Sequence, residues 1–565
     1  MGFIRSKKFV KNLEHLETFF NSTSCVTVTP PADAQPSFPC SYISQSIWDD
    51  IDLTTFVNGL SKWDNTKEFI KYTIQHPVID PVLLEARQSN LLTYANAATA
   101  DALPNLFDEK CVATWNWLLT LEDGKKNYIM ETLYPNSWPF KWLYLDPLPL
   151  NLYHIYRCYL APVAQSIYPL SMVLGPYIYL RTKLKLKMSL KAYLSMIYKG
   201  LKWMYTFTKT QIKQLVMLAI YIGIYLYSFV IVIDFSNQLR RYRNIILERL
   251  KTVETSIHRF QELLSTTMPS DFWKAYEPTI ERAELMKPLK QTAVSFYNYW
   301  KFPETRENIH RIYKTMVIYD GIRSMSQLLK QDWCLPTYSQ GTNKPTYLGG
   351  MKHPILANPI ENPIQLKKHL VITGPNAAGK TTYVKSLLWN ILMGQSFGLT
   401  RANYSHIQVY DAIFHHDRIK DVIGSKSLFE AEMMKAQEVI EKTKTYKQSI
   451  YFMDEPLHST PPLDGSSMLK ALMLHLAQRG NIHMVLTTHY FTLQELAKEY
   501  PQYFKNVCME AIPTDKGFQF PYLIKSGYST QSIGIELLQE NAFPESLIQT
   551  AIKMKNKICA LHLNV

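Results

Sequence analysis

The sequence has few cysteines and no pattern that would use them for cross-linking or metal binding. Its 565 residues include seven cysteines, which are scattered and form no Cys-x-x-Cys pair. This spacing argues against a disulfide scaffold and against a zinc site, and it favours a reducing, intracellular compartment. Charged and apolar residues alternate from Met1 to Glu17, so we expect no cleaved secretory leader.

Acidic residues are missing from one long segment. No Asp or Glu occurs between Pro147 and Ile233, and this segment accounts for most of the chain's formal net charge of +14. A basic surface of this kind suits either DNA phosphates or anionic lipid. Its basic residues are Arg157, Arg181, Lys183, Lys185, Lys187, Lys191, Lys199, Lys202, Lys209 and Lys213.

The same segment contains the longest apolar runs of the chain. Gln214 to Ile233 carries no charge over twenty residues, which is long enough to span a bilayer. Cys158 to Leu180 is a second uncharged run, and we expect its three prolines to interrupt it because each removes a helical hydrogen bond. Between them, Ser189 to Tyr205 separates apolar from lysine positions at helical spacing, a pattern typical of an interfacial helix.

Two interpretations of residues 147–239 therefore stay open. The segment is either inserted into a membrane or is a buried helical pair whose basic loop grips DNA phosphates. If it is a membrane segment, shallow insertion from one side is favoured. A hairpin that crossed the bilayer would place its many positive charges in the translocated loop, against the positive-inside tendency.

The length predicts two to four domains, and the 47% hydrophobic content is enough for large cores. Composition divides the chain into five segments. They are an N-terminal segment and linker (1–45), a helical region (46–145), the basic apolar insert (146–239), a second helical region (240–350) and an α/β domain (351–565). In the last of these, short β-rich runs alternate with helices, which is typical of a parallel sheet with crossover helices.

A phosphate-binding motif gives the clearest chemical signal. Residues 374–381 satisfy the pattern G-x-x-x-x-G-K-[ST] between an apolar run at 369–373 and a helical pattern at 382–392. The glycines let backbone N–H groups close around phosphates at a helix N-terminus. Lys380 is expected to reach the β- and γ-phosphate oxygens, and Thr381 to ligate magnesium. The motif thus predicts a P-loop NTPase with ATP and Mg²⁺ as cofactors.

Two further apolar runs end in residues that could complete this site. Asp454 and Glu455 follow the run that begins at Ser449, and His489 follows the run 482–488. We expect Asp454 to hold Mg²⁺ through water and Glu455 to orient or activate the attacking water. His489 could contact the γ-phosphate or that water. The predicted catalytic residues are Glu455, His489 and Lys380.

These residues resemble the MutS family of DNA mismatch-repair ATPases over about Leu348 to Lys553. The Gly-Pro-Asn beginning of the P-loop is specific to that family's version of the motif. Other segments follow in the family's order: His353-Pro354, Gly394 to Gly398, Tyr410 to Phe414, Ser427 to Met433, Asp464-Gly465, Thr488 to Phe491 and Gly527 to Gly534.

The resemblance implies roles that spacing alone does not. Ser427 would reach the γ-phosphate bound in the opposite protomer, so a homodimer is expected. Tyr522 stands where the family often has an adenine-stacking histidine. The loop Leu457 to Pro462 departs from the family's pattern, which leaves dimer communication open. The nucleotide contacts implied are Gly374, Pro375, Asn376, Ala377, Ala378, Gly379, Lys380, Thr381, Thr382, Ser427 and Tyr522, with Thr381 and Asp454 at the metal.

A fainter resemblance covers Asp49 to Leu92 and Ile309 to Tyr338, which are similar to the family's helical core and lever. The basic insert stands where the family carries a DNA-clamp domain, and the mismatch-reading domain has no counterpart. The resemblance implies an ATP-hydrolysing dimer on duplex DNA in a mismatch-repair-related role, with no small-molecule substrate besides ATP. The alternative is a membrane-associated ATPase of this lineage with a non-repair function, in contact with lipid through 147–239. A third alternative, an inactive structural paralogue, is less favoured, because such a protein would not need to keep the complete set of site residues that this sequence has.

Overall fold

The computed structural model describes residues 38–44, 47–48, 51–95, 106–121, 127, 129–130, 134, 147–204, 209–266, 271–288, 292–341, 344–416, 428–457, 460–514, 517–529, 531, 534–535, 538 and 543–562. Its helices are α1 (Leu53–Leu60), α2 (Asp64–Gln75), α3 (Pro81–Ala95), α4 (Glu109–Leu119), α5 (Pro147–Ile155), α6 (Ala161–Thr182), α7 (Leu190–Met204), α8 (Lys209–Thr266), α9 (Arg282–Leu285), α10 (Thr292–Lys301), α11 (Pro303–Ser326), α12 (Lys380–Ser396), α13 (Leu428–Lys442), α14 (Pro462–Ala477), α15 (Glu495–Glu499) and α16 (Glu545–His562).

The strands are β1 (Tyr42–Ile43), β2 (Thr337–Ser339), β3 (Tyr347–Met351), β4 (Asn362–Gln365), β5 (His369–Thr373), β6 (Tyr404–Gln408), β7 (Ala412–His416), β8 (Ser449–Asp454), β9 (Ile482–Thr487), β10 (Phe504–Met509), β11 (Ile512–Thr514), β12 (Gly517–Gln519) and β13 (Ile524–Ser526).

The chain forms two compact units that interleave along the sequence. Among the described residues, the helical unit takes in 106–266 and 281–313, and the α/β unit takes in 38–95, 271–280 and 314–562. This division differs from the sequential segments suggested by composition. In particular, the composition boundary at 239/240 falls inside the single helix α8.

A seven-stranded sheet forms the centre of the α/β unit. Its strand order is β1-β7-β8-β9-β5-β10-β13, and only the β10–β13 pair is antiparallel. All five residues of β5 are buried, as expected for a central parallel strand covered on both faces. The parallel sheet predicted for 351–565 is confirmed. A smaller sheet in the order β2-β6-β3-β4 lies in the same unit.

The N-terminal part of the α/β unit contributes directly to this architecture. β1, from a stretch interpreted above as part of a linker, pairs in parallel with β7 at the edge of the main sheet. The Ser41 hydroxyl also donates to the Tyr410 carbonyl over 2.7 Å. In α3, the buried Arg87 donates to the Ala275 carbonyl over 2.9 Å and to the Ser396 carbonyl. These contacts are made by backbone groups, one hydroxyl and one guanidinium, so hydrophobic periodicity does not reveal them.

The helical unit is built around the second half of α8 (239–266). Its buried residues follow one another at spacings of three and four, as on one face of a helix. The buried Trp115 of α4 donates from Nε1 to the Ser256 hydroxyl over 3.0 Å. Arg249 lies 5.5 Å from the ring centroid of Trp117. The residues spaced in this way are Leu239, Tyr242, Ile246, Leu250, Val253, Ile257, Phe260 and Leu264, and Ser256 and Leu263 are buried beside them.

The described part of the basic apolar insert is helical apart from the turn at 183–189. The prolines at 162, 169 and 176 do not break α6, contrary to our expectation. Pro162 stands at the second residue of α6, directly after a π-helical turn at Tyr156–Leu160, where its missing N–H costs little. The helix predicted over 189–205 is confirmed as α7, whereas its interfacial position stays a prediction. Within the residues that the structure describes, no helix combines the length and apolar character needed to cross a membrane. Some side chains of the uncharged run 214–233 lie outside those residues.

Candidate nucleotide site

Strand register brings the three predicted motifs to one edge of the sheet. β9 lies between β5 and β8, and Thr487 is paired with Ile372 on one side and with Asp454 on the other. The P-loop, the acidic pair and His489 each begin within two residues of these positions. Open α/β sheets bind ligands at the carboxyl ends of their parallel strands, where these three segments meet.

The P-loop is shaped by two glycines that no other residue could replace without strain. Gly374 has φ +153°, and a Cβ there would lie 2.3 Å from the Met509 carbonyl oxygen. Gly379 has φ +94° and immediately precedes α12, whose first turn therefore opens toward the loop. Lys380 is 5% exposed, and its ammonium donates to the Gly374 carbonyl over 2.9 Å. This cradle fits a phosphate group, and it places the lysine charge against it.

A carboxylate and a hydroxyl lie together at the predicted metal position. Thr381 Oγ1 donates to both oxygens of Asp454, at 2.9 and 3.1 Å. Thr487 Oγ1 donates to Asp454 Oδ1 over 2.5 Å and accepts from the Glu455 amide over 3.0 Å. Oxygen donors of this type suit Mg²⁺, which usually keeps water molecules and uses few protein ligands. Thr381 and Asp454 are thus placed to share one ion.

Glu455 is the centre of a small charged cluster. Its Oε1 lies 2.5 Å from His489 Nε2 and 3.6 Å from Lys380 Nζ. The backbone of Glu455 is left-handed, with φ +50°, an uncommon conformation for a residue with a long side chain. Its amide also donates to the Thr487 carbonyl over 3.2 Å, which helps to hold this conformation. Strain of this kind recurs at functional sites, where the surrounding structure over-determines the backbone.

The loop after Glu455 is connected to two other segments. The amide of Leu457, which also has positive φ, donates to Oε1 of the fully buried Glu432 in α13 over 3.0 Å. The Leu457 carbonyl accepts from the Tyr490 hydroxyl over 2.8 Å. The segment after β8 is therefore in direct contact with α13 and with the loop that carries His489.

A cleft of about 280 Å³ opens beside the P-loop, lined among others by Met351, His353, Ile360, Gly379, Tyr383 and Tyr522. The ring of Tyr522 lies against Gly379, where an added Cβ would come within 3.0 Å of it. The Tyr522 carbonyl accepts from the Asn362 side chain over 2.9 Å, which fixes its backbone in this left-handed turn. Burial, together with Lys385 and Arg401, lowers the pKa of His353 to about 4, so the cleft wall carries a neutral imidazole near pH 7.

The structure brings together most of the residues that the sequence predicted. Lys380, Thr381, Asp454, Glu455 and His489 lie at one site, and Tyr522 and Thr382 line its cleft. Ser427 lies outside the described residues. Sequence reasoning missed Thr487 and Glu432. Thr487 could have been found as the residue of β9 aligned with Asp454, whereas Glu432 gives no signal in the local sequence.

Comparison with known proteins identifies the domain. The family profile of MutS domain V matches residues 370–559. The DNA mismatch repair protein MutS of Aquifex pyrophilus is 29% identical over 248 residues, 42% of this chain and 28% of that protein. The MutS of Lactococcus lactis subsp. cremoris (strain MG1363) is 26% identical over 343 residues, 58% of this chain and 40% of that protein.

A further relative, the MutS of Streptococcus uberis, is 30% identical over 196 residues, 34% of this chain and 23% of that protein. The matched segments thus cover well under half of each relative's length. The matching region contains the main parallel strands, the P-loop and the acidic pair described above. Residues 370–559 of this chain are therefore similar to MutS domain V, and this is the region that carries the site described above.

Proposed function

We propose that this protein binds ATP with Mg²⁺ and hydrolyses it as a dimer that acts on duplex DNA in a mismatch-repair-related process. The observation that carries the ATPase proposal is the cluster in which Glu455 contacts both Lys380 and His489 beside the Thr381–Asp454 pair. The printed names of the relatives, DNA mismatch repair proteins, support DNA as the partner.

Each residue of the cluster has a distinct task in this proposal. The P-loop amides and Lys380 bind the phosphates, and Thr381 and Asp454 hold Mg²⁺. When bound, the ion neutralises charge on the phosphate oxygens. Glu455 orients the attacking water and accepts its proton, and His489 fixes the Glu455 carboxylate through their 2.5 Å contact. The coupling of Leu457 to Tyr490 and Glu432 would carry changes at the γ-phosphate toward α13.

Replacement of Glu455 tests the hydrolytic role. We expect Glu455→Gln to lower steady-state phosphate release by about a hundredfold or more while ATP binding persists, because general-base groups typically contribute that much. Phosphate release and equilibrium binding of a fluorescent ATP analogue would be measured on the same preparation. Glu441→Gln, the same change at an exposed residue of α13, is the matched control. Turnover at the parent rate in Glu455→Gln would remove Glu455 from catalysis.

The proposed dimer is tested through Ser427. Ser427→Ala is expected to impair turnover and leave ATP binding in place, with Ser425→Ala as the control two residues earlier. A mixture of Ser427→Ala and Glu455→Gln subunits should recover activity, since one site of the mixed dimer would combine an intact Glu455 with the partner's intact serine. If Ser427 acts within its own subunit, both sites of the mixed dimer are defective and the mixture stays inactive.

Duplex DNA binding is tested by fluorescence anisotropy with end-labelled duplex and the full chain. Binding through basic side chains should weaken steeply between ~50 and ~200 mM salt, because each phosphate contact releases counterions. Measurements with and without the ATP analogue would show whether the nucleotide changes the affinity. If the full chain has no duplex affinity even at the lower salt in either state, the DNA part of the proposal fails while the ATPase part stands.

A further inference from the structure

A large apolar surface is exposed on the helical unit. More than half of the large apolar side chains that are exposed in the described part of the chain lie between Leu148 and Ile233, although this stretch is about a sixth of the sequence. They belong to α5, the π-helical turn after it, α6, the turn between α6 and α7, α7 and the first half of α8 (209–238), and we call them the insert surface. Monomeric soluble proteins rarely expose contiguous apolar patches beyond a few hundred Å². We therefore expect another molecule or a membrane to cover this surface.

The first half of α8 shows the exposure most clearly. At 100° per residue, its exposed apolar positions cover an arc of roughly 220°. A helix that packs one face on a protein core needs a stripe of only about 100°. The positions are Val216, Ile220, Ile224, Leu226, Tyr227, Phe229, Val230 and Ile233, and Val230 is 62% exposed. An arc this wide fits a medium that surrounds the helix better than it fits a single partner face.

Positive charge borders the insert surface. Arg181 in the last turn of α6 is exposed, as are Lys183, Lys185 and Lys187 in the turn between α6 and α7. This turn has a fixed shape, because Tyr177 of α6 packs on Tyr193 of α7 with ring centroids 5.2 Å apart, and Arg181 donates to the Tyr177 hydroxyl over 3.2 Å. No acidic residue occurs in the sequence from 147 to 233 to offset these charges. Basic residues beside exposed apolar side chains are the arrangement that binds anionic lipid surfaces.

We propose that the insert surface embeds in a phospholipid bilayer that carries anionic headgroups. The apolar side chains of α5 to α7 and of the first half of α8 enter the acyl region, and the basic turn contacts the headgroups. Embedding replaces water around every side of the exposed α8 arc, which one protein or DNA partner cannot do. The inference requires neither nucleotide binding nor DNA binding, so it can fail while the ATPase proposal stands.

The test is flotation of the purified full chain with unilamellar vesicles, after removal of the purification detergent. Vesicles of phosphatidylcholine alone are compared with vesicles that contain roughly one-third phosphatidylglycerol, at ~0.15 M and ~1 M NaCl. The floated fraction is then washed with alkaline carbonate. We expect the chain to float, to float better with phosphatidylglycerol at the lower salt, and to remain with the vesicles after the wash.

Substitutions locate the contact. The combined change Ile220→Gln, Leu226→Gln and Val230→Gln should lower the floated fraction at least about tenfold, since these exposed side chains would lose their acyl environment. The matched control, Ile220→Leu, Leu226→Met and Val230→Leu, should float like the parent. Lys183→Gln, Lys185→Gln and Lys187→Gln together should remove only the advantage given by phosphatidylglycerol. Hydrogen-exchange protection of 239–264 would confirm that each variant is folded.

Four outcomes would overturn the proposal. The parent chain could stay at the bottom of the gradient with both kinds of vesicle. It could float only at low salt and come off in carbonate, which would indicate charge contact without embedding. It could elute without detergent as a monodisperse oligomer whose α8 residues are protected by a second copy. Finally, duplex DNA could displace it from vesicles in a salt-sensitive manner, which would assign the basic turn to nucleic acid.

Discussion

The two halves of α8 share one uninterrupted backbone, but the second half packs on a protein core whereas the first half exposes its apolar side chains. The helix runs for 58 residues, about 87 Å, without a break. In the second half the buried residues fall within an arc of roughly 140°, and most of the charged residues lie outside it. In the first half the exposed apolar residues cover a wider arc, of roughly 220°. The same secondary structure thus serves a protein core at one end and a different environment at the other.

The difference shows that helix formation and burial are separate questions. Both halves have residues that favour or tolerate helix, so backbone hydrogen bonding continues through the change in composition. Only the second half has its buried residues on one face, and this is the half that α4 contacts through Trp115. The width of the apolar arc, rather than hydrophobicity as such, distinguishes a helix that packs on protein from one that does not.

The largest expected difference in stability is between two Ile→Ala truncations, one in each half of α8. Ile257→Ala removes a fully buried side chain and should lower the opening free energy of the second half by about 3 kcal/mol. Ile220→Ala, at a residue 48% exposed, should change it by less than about 0.5 kcal/mol. Hydrogen exchange of peptides from 239–264 measures both, without assuming that this two-unit chain unfolds in one step. Similar effects of the two changes would contradict the comparison.

A smaller effect is expected at the polar contact that joins α4 to the second half of α8. Trp115→Phe removes the donor to Ser256 and should cost about 1–2 kcal/mol by the same hydrogen-exchange measurement. Ser256→Ala and the double variant complete a thermodynamic cycle. Additive effects of the two single changes would show that the hydrogen bond adds nothing to the packing of the indole ring.

The smallest effect is expected on the solvent side of the same half. Lys110 and Glu248 form an ion pair of 2.6 Å, and both side chains are mostly exposed. Lys110→Gln should leave the melting temperature and the exchange of 239–264 unchanged, because solvent screens exposed pairs and ordering two long side chains offsets the attraction. Glu248→Gln is the matching change in the partner. A clear loss of protection in either variant would show that α4 is held by charge as well as by its buried face.

Several elements could be predicted from the sequence because their signals are local. The strands at 369–373 and 449–454 are short apolar runs, and α12 follows a P-loop whose glycines specify its turn. The interfacial pattern at 189–205 gave α7 within one residue at each end. In each case, the residues that specify the element are the residues that form it.

Other features could not be predicted because they depend on partners far away in the chain. β1 is two residues long, and only its pairing with β7 makes it a strand. Nothing in the sequence around Glu432 indicates its contact with the loop after β8. Its carboxylate nevertheless accepts a hydrogen bond from the Leu457 amide, 25 residues further along the chain. The single helix α8 was divided at 239/240 because composition changes there, although composition does not interrupt backbone hydrogen bonds.

By itself, the sequence determined the phosphate-binding loop of this protein and the change of composition within α8. The phosphate-binding motif is contiguous, so its glycines, lysine and threonine specify their geometry over a few residues. Helical periodicity likewise separates a narrow apolar stripe from a wide one. The tertiary structure decided how the motifs combine. Strand register set Thr487 beside Asp454 and brought His489 to Glu455, because hydrogen bonding between strands fixes distances that chain spacing does not.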